Sequence, residues 1–149
     1  MADAINIITH TADVKITDSK QKVIDKLREK YRISDGLPQS SGRIEKKDSE
    51  FGGALWDIFQ RENIPKLQDY LVKHKGEFRH LENKHLTQVT HPIHDQTIYL
   101  NEYHKGILKE EYGVEAWTLK QNLYEPVFIP AGCPHKVRNF KSGIKVAED

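Results

Sequence analysis

The amino-acid sequence predicts one mainly β domain with inserted helices, either a β-sandwich or a jelly-roll barrel. Three observations lead there. Short β-branched or apolar runs recur from residue 4 to residue 139. Two of these runs flank Pro130-Ala131-Gly132, a turn in which glycine can take positive φ. Between the runs lie stretches whose apolar residues repeat at three- and four-residue spacing among charges, the pattern of surface helices.

Ala4 to Thr11 is rich in β-branched Ile and Thr and reads as a strand that starts almost at the first residue. Asp18 and Ser19 offer a helix start, and Val23, Ile24, Leu27 and Tyr31 then share one helical face. Ser34 to Glu50 holds only Leu37 and Ile44 as bulky apolar residues, so it reads as an exposed flexible loop. Phe51 to Phe59 is the densest apolar stretch of the first half. It reads as a buried strand with Leu55, Asp57 and Phe59 on one parity and Trp56 and Ile58 on the other.

Ile64-Pro65 begins a helix with Leu67, Tyr70, Leu71 and His74 on one face, and Gly76 is expected to end it. His91 to Leu100 reads as a turn leading into a short extended piece. Tyr103 to Tyr112 is a helix closed by Gly113, and Ala116 to Gln121 is a strand. Pro126 to Ile129 and His135 to Asn139 are the strands on either side of the turn. Period two puts His135, Val137 and Asn139 on one face and Lys136 and Arg138 on the other.

The chain has 149 residues, one Cys, and 23 Lys+Arg against 22 Asp+Glu, a net charge of +1. One cysteine forms no internal disulfide and no thiolate-rich zinc site, which points to a reducing compartment. Near-neutral charge provides no basic field for phosphate backbones, so nucleic acid is not an expected partner. Secretory signal and membrane span are both missing from the sequence pattern.

Eight histidines invite a metal reading. His80-Leu81-Glu82 is the His-x-acid spacing present, but no hydrophobic frame would fix it. His91, His94 and Asp95 cluster closely enough to bind a metal by composition, yet they also read as a structural turn. His10, His74, His85 and His104 are scattered and read as surface or half-buried residues.

Several stretches resemble the Jumonji C (JmjC) domain, and within it the plant-type branch of histone H3 lysine-nine demethylases. They are Asp3-Ala-Ile-Asn-Ile7, Thr9-His-Thr-Ala-Asp-Val-Lys15, Gly53-Ala-Leu-Trp-Asp-Ile-Phe59, His91-Pro-Ile-His-Asp-Gln96, Val127-Phe-Ile-Pro-Ala-Gly-Cys-Pro-His135 through Asn139, and Lys145-Val-Ala-Glu-Asp149. The resemblance runs in family order over nearly the whole chain. It implies a double-stranded β-helix (jelly-roll, cupin-like) barrel that holds Fe(II) and 2-oxoglutarate and oxidises an N-methyl group of lysine, releasing formaldehyde.

The implied chemistry needs two His and one carboxylate on one face of the iron, with the remaining positions open. By resemblance, His135 is the distant histidine of that set, and the family's His-x-Asp pair falls immediately before Met1. Lys15 resembles the lysine that pairs with the distal carboxylate of 2-oxoglutarate. Asn139 resembles a polar residue near the cofactor, and Asn6 could also reach the pocket. The expectation is a partial JmjC domain over residues 1–149, truncated at both ends and inactive by itself, from a nuclear protein. A methylated histone tail is the expected partner, with chromatin-associated proteins besides; the alternative is a non-catalytic binding module.

Two departures from the family pattern stand out. Tyr124 occupies a position where glycine is usual, so positive φ there would strain the backbone. Pro126 occupies a strand start and is tolerable only at an edge or first position.

Overall fold

The computed structural model describes residues 2–12, 15–34, 53–79, 86 and 89–148. The elements in chain order are β1 (Ala4–Ala12), α1 (Asp18–Ser34), β2 (Ala54–Ile58), α2 (Ile64–Lys73), α3 (Glu102–Tyr112), β3 (Trp117–Gln121), β4 (Pro126–Ile129), β5 (His135–Asn139) and β6 (Ser142–Glu148). The strands form two antiparallel sheets of three, in the orders β4-β1-β6 and β3-β2-β5.

Paired residues of antiparallel strands share a face, so the register decides what lies between the sheets. In the first sheet Asn6 pairs with Val127 and Ala147, and Ile8 with Lys145. In the second, Ala54 pairs with Gln121 and Asn139, Trp56 with Leu119 and Val137, and Ile58 with Trp117 and His135. Ile8, Val127 and Ile129 pack with Ala54, Trp56 and Ile58 in one buried cluster, which places the two sheets face to face. Burying each of the Ile and Val side chains in this cluster contributes about 1.5–3 kcal/mol. Among the described residues no strand pairs from one sheet to the other, so the architecture is two facing sheets.

The outer face of β2 is buried as well. Phe59 joins Leu67, Tyr70, Leu71, Phe78, Leu100, Leu108 and Val114 in a second core between that sheet and helices α2 and α3. The face expected for α2 is the buried one, through Leu67, Tyr70 and Leu71. On α3 the Asn101 side chain accepts from the His104 N–H, and Gly113 closes the helix at φ 65°. The outer face of the first sheet is uncovered by contrast, with Ile5, Phe128 and Val146 exposed. Val23 and Leu27, the face expected of α1, are exposed too.

Several expectations change. The strands β4 and β5, adjacent in sequence around the Pro-Ala-Gly turn, belong to different sheets, so that turn carries the chain across the core. His104 is buried at 6% exposure, not a surface or half-buried histidine, because its ring fills the space beside Phe78 and Tyr70. Helix α2 stops at Lys73, capped at His74, and Gly76 sits in a following 3-10 turn, Lys75–Glu77. Strand β6, within which the sequence marked only the Lys145–Asp149 resemblance, completes the first sheet. The loop expected over 34–50 falls outside the described residues except for Ser34, the last residue of α1; His80-Leu81-Glu82 and His85 fall outside as well.

Both departures hold as anticipated. Tyr124 has φ 66° and its N–H donates to the Ile8 carbonyl at 2.8 Å, so the backbone bond holds a left-handed residue that carries a side chain. Pro126 is the first residue of an edge strand, where its missing N–H costs nothing to the ladder.

Candidate functional site

The turn before His135 is held from three sides. Within it, the Cys133 N–H donates to the Pro130 carbonyl at 3.1 Å, and Gly132 takes φ 77°. The Ala131 N–H donates to Asp3 Oδ1 at 2.7 Å, and the Phe59 N–H donates to the Pro134 carbonyl at 2.8 Å. His135 thus starts β5 from a fixed position, opposite Ile58, with its ring centroid 5.7 Å from that of Trp56. Its Nδ1 lies 3.2 Å from the Cys133 carbonyl oxygen. A carbonyl only accepts, so in the neutral ring the proton sits on Nδ1 and Nε2 keeps its lone pair.

The expected face of β5 is the one turned toward the first sheet, since Val137 packs on the intersheet cluster and His135 meets Trp56. His135 and Asn139 nevertheless remain exposed at the margin. Asn139 lies opposite Ala54, one full strand length from His135. Lys15 stands exposed three residues beyond the end of β1, and no hydrogen bond or ion pair among the described residues joins it to His135 or Asn139. Asn6 is half-buried, and its backbone and side-chain oxygens face the Gln121 amide at 2.8 and 3.5 Å.

Two interior residues escaped the sequence reading. Gln121, fully buried, accepts from Trp56 Nε1 at 2.8 Å and donates to the carbonyls of Asn6 and Glu125. Lys145 pairs with Ile8 and extends between the sheets to place Nζ 5.1 Å from the centre of the Trp56 ring. Burial draws its pKa below the ordinary lysine value. A lysine on the same strand parity as Ala147, alternating with Ile144 and Val146, was the available signal.

A different charged cluster occupies the reverse face of β2. Asp57, 2% exposed, meets Lys136 Nζ at 2.9 Å, Lys105 Nζ at 3.2 Å and the Thr118 hydroxyl. Burial alone would raise its pKa, but the Thr118 hydrogen bond and the two ammonium groups outweigh it and hold the carboxyl below the ordinary value. Lys136 also donates to the Leu100 carbonyl and lies 4.1 Å from the Tyr99 ring centre. A cleft of about 280 Å³ opens beside this cluster, lined in part by Phe59, Lys105, Leu108, Val114 and Thr118. It lies on the side of the sheet away from His135.

The other histidines do not gather around His135. In the His91–Asp95 turn, Asp95 Oδ2 accepts from the Thr90 and His91 N–H groups at 2.8 and 3.0 Å, and the His94 N–H points at His91 Nδ1 at 3.3 Å. These bonds hold the backbone of the turn to its own Asp95 and His91 side chains. His10 is exposed. Among the described residues no three His, Cys, Asp or Glu side chains converge as a metal site. The described residues therefore do not fit an iron centre by themselves. No helix among them is long and apolar enough to cross a membrane.

Comparison with known proteins places the chain in a family. A family model described as "JmjC domain, hydroxylase" matches residues 32–149. The lysine-specific demethylases JMJ29 and JMJ26 of Arabidopsis thaliana are 45% and 47% identical to the chain over all of it. The chain spans only 19% and 18% of those two proteins. A third Arabidopsis relative, 44% identical over 66% of the chain and 10% of its own length, is named E3 ubiquitin-protein ligase JMJ24. With the family model covering more than half of its length, the chain belongs to the JmjC domain family.

Proposed function

We propose that this chain is a segment of an Fe(II)- and 2-oxoglutarate-dependent lysine demethylase domain, to which it contributes His135 as one iron ligand. The observation that carries the reading is the fixed histidine at the start of β5. Its Nδ1–H is held by the Cys133 carbonyl, Nε2 is left as the donor, and Trp56 backs the ring. Asn139, on the same face of the same strand, is the polar group proposed to line the cofactor space, and the resemblance makes Lys15 a candidate for its distal carboxylate. When bound, iron with 2-oxoglutarate supplies the oxidation of the N-methyl carbon. The chain's own part is to place a neutral imidazole, exclude water with Trp56 and Val137, and keep the turn rigid. A methylated histone tail in the nucleus is the proposed substrate.

With one ligand among the described residues, the proposal is that the chain does not turn over alone. Formaldehyde release from a methylated histone peptide with Fe(II), 2-oxoglutarate and ascorbate is the test. The expected result is none from this chain; turnover that vanishes in His135→Ala would overturn inactivity and support a complete ligand set.

A second reading is a non-catalytic binding module of chromatin regulation. The similarity to a protein named as an E3 ubiquitin-protein ligase favours it, since that relative carries another activity in its name. This reading expects a cooperative melt that Fe(II) leaves unmoved.

A further inference from the structure

Neither hydrophobic core takes a described residue from α1. Val23 and Leu27, one turn apart on that helix, are 56% and 46% exposed, and Ile24 beside them is half-buried. The 17 residues of α1 include six Lys or Arg and three Asp or Glu, which puts +3 on this helix in a chain whose net charge is +1. The charges are also sorted around it. At about 3.6 residues per turn the sequence pattern sets Val23, Ile24, Leu27 and Tyr31 in one stripe, bordered by Lys26 and Lys30 on one side and by Arg28 and Arg32 on the other. Asp18, Asp25 and Glu29 fall on the opposite face together with Lys22. Lys20, Lys22 and Lys26 are all exposed.

We infer that α1 is a recognition helix for an acidic protein: its stripe enters an apolar groove whose two rims carry carboxylates, the kind of groove that Ca(II)-loaded calmodulin presents. Cations on both borders of an apolar stripe complement such rims, and the acids on the opposite face stay clear of them. Anchors at i, i+1, i+4 and i+8 suit one helix laid along one groove. A bilayer is the weaker fit, because the stripe holds neither Trp nor Phe and is only four residues long. A phosphate backbone gives the apolar residues no partner and meets three acids. The inference goes beyond the demethylase reading and does not depend on His135.

Calorimetric titration of the whole chain with Ca(II)-loaded calmodulin as the probe tests it, with thermal melts alongside. The expected result is saturable binding with a Kd of about 10 µM or tighter, lost when a chelator removes Ca(II) and closes the groove. Leu27→Glu should weaken it by about tenfold or more with the melt unchanged, since Leu27 belongs to neither core. Lys26→Glu should weaken it about threefold or more and flatten its salt dependence, whereas Lys66→Glu, an exposed charge reversal on α2, should leave it within about twofold. If Leu27→Glu lowers the melt, the Lys26→Glu result decides alone. Two further titrations use vesicles of equal phosphatidylserine and phosphatidylcholine and a short DNA duplex. Binding to either of these without binding to calmodulin overturns the inference in favour of a lipid or nucleic-acid surface. A folded chain that binds no calmodulin, or binding that survives both α1 variants, overturns it as well.

Discussion

Trp56 and Gln121 form a hydrogen bond of 2.8 Å between two almost fully buried side chains on neighbouring strands. Gln121 passes that connection to the other sheet through the Asn6 carbonyl at 2.8 Å, and to the loop before β4 through the Glu125 carbonyl at 3.0 Å. One amide therefore satisfies a buried indole and two part-buried carbonyls, and fixes the indole against which His135 and Lys145 are set. Gln121→Leu, similar in volume, strands all three and should cost about 3 kcal/mol. Urea denaturation would measure it, and a loss below about 0.5 kcal/mol would mean that water replaces the amide.

Asp57 is the acid on which two lysines of the second sheet's outer side converge. Asp57→Ala leaves Lys136 half-buried without its acid and Lys105 with Glu102 alone at 2.6 Å, and a loss of about 3 kcal/mol is expected. Because the folded-state pKa lies below the ordinary 3.8, the carboxylate's contribution is fully present above that value. It is lost as pH falls through the folded value. Denaturation curves of wild type and Asp57→Ala should approach each other only in strong acid; a constant gap down to the acid limit would contradict the lowered pKa.

His74 sits between Glu77 at 2.5 Å and Glu111 at 3.1 Å. Burial pulls its pKa down, but the two carboxylates outweigh burial and raise it above 6.5. A raised pKa makes the contribution complete below 6.5 and removes it as pH climbs through the folded value. The stability difference between wild type and His74→Gln should accordingly be larger at about pH 5.5 than at about pH 9. Equal differences at both would show that the charged form has no role.

Tyr124 tests backbone strain without a packing penalty, since its side chain is 70% exposed at φ 66°. Tyr124→Gly removes the steric cost of the left-handed conformation and should raise stability by about 1 kcal/mol, the gain reduced by the freer unfolded chain. A melting temperature that falls would mean that the ring makes a contact worth more than the strain.

His135 is exposed and forms no part of either core, so His135→Ala should leave the melt nearly unchanged. Titration with Mn(II) should give weak heats that differ little between wild type and this variant, because one imidazole fixes neither geometry nor affinity. Tight binding that His135→Ala abolishes would show a ligand set beyond the described residues.

The local elements were legible in the sequence because their causes are local. β-Branched content in Ala4 to Thr11, helical spacing in Leu67, Tyr70 and Leu71, and a glycine after Tyr112 each act over a few residues. The resemblance singled out His135 from a short motif for the same reason. Tertiary structure alone decided that β4 and β5 part into different sheets, since each strand's partner lies far away in sequence: β1 for β4, β2 for β5. It also decided the environment of the charges. Asp57 read as one acid in an apolar strand until Lys105, 48 residues on, came within reach. Lys145 read as part of a motif until pairing with Ile8 turned it inward over Trp56. Period and turn chemistry reside in neighbouring residues, whereas desolvation and counter-ions depend on which distant segments the core brings together.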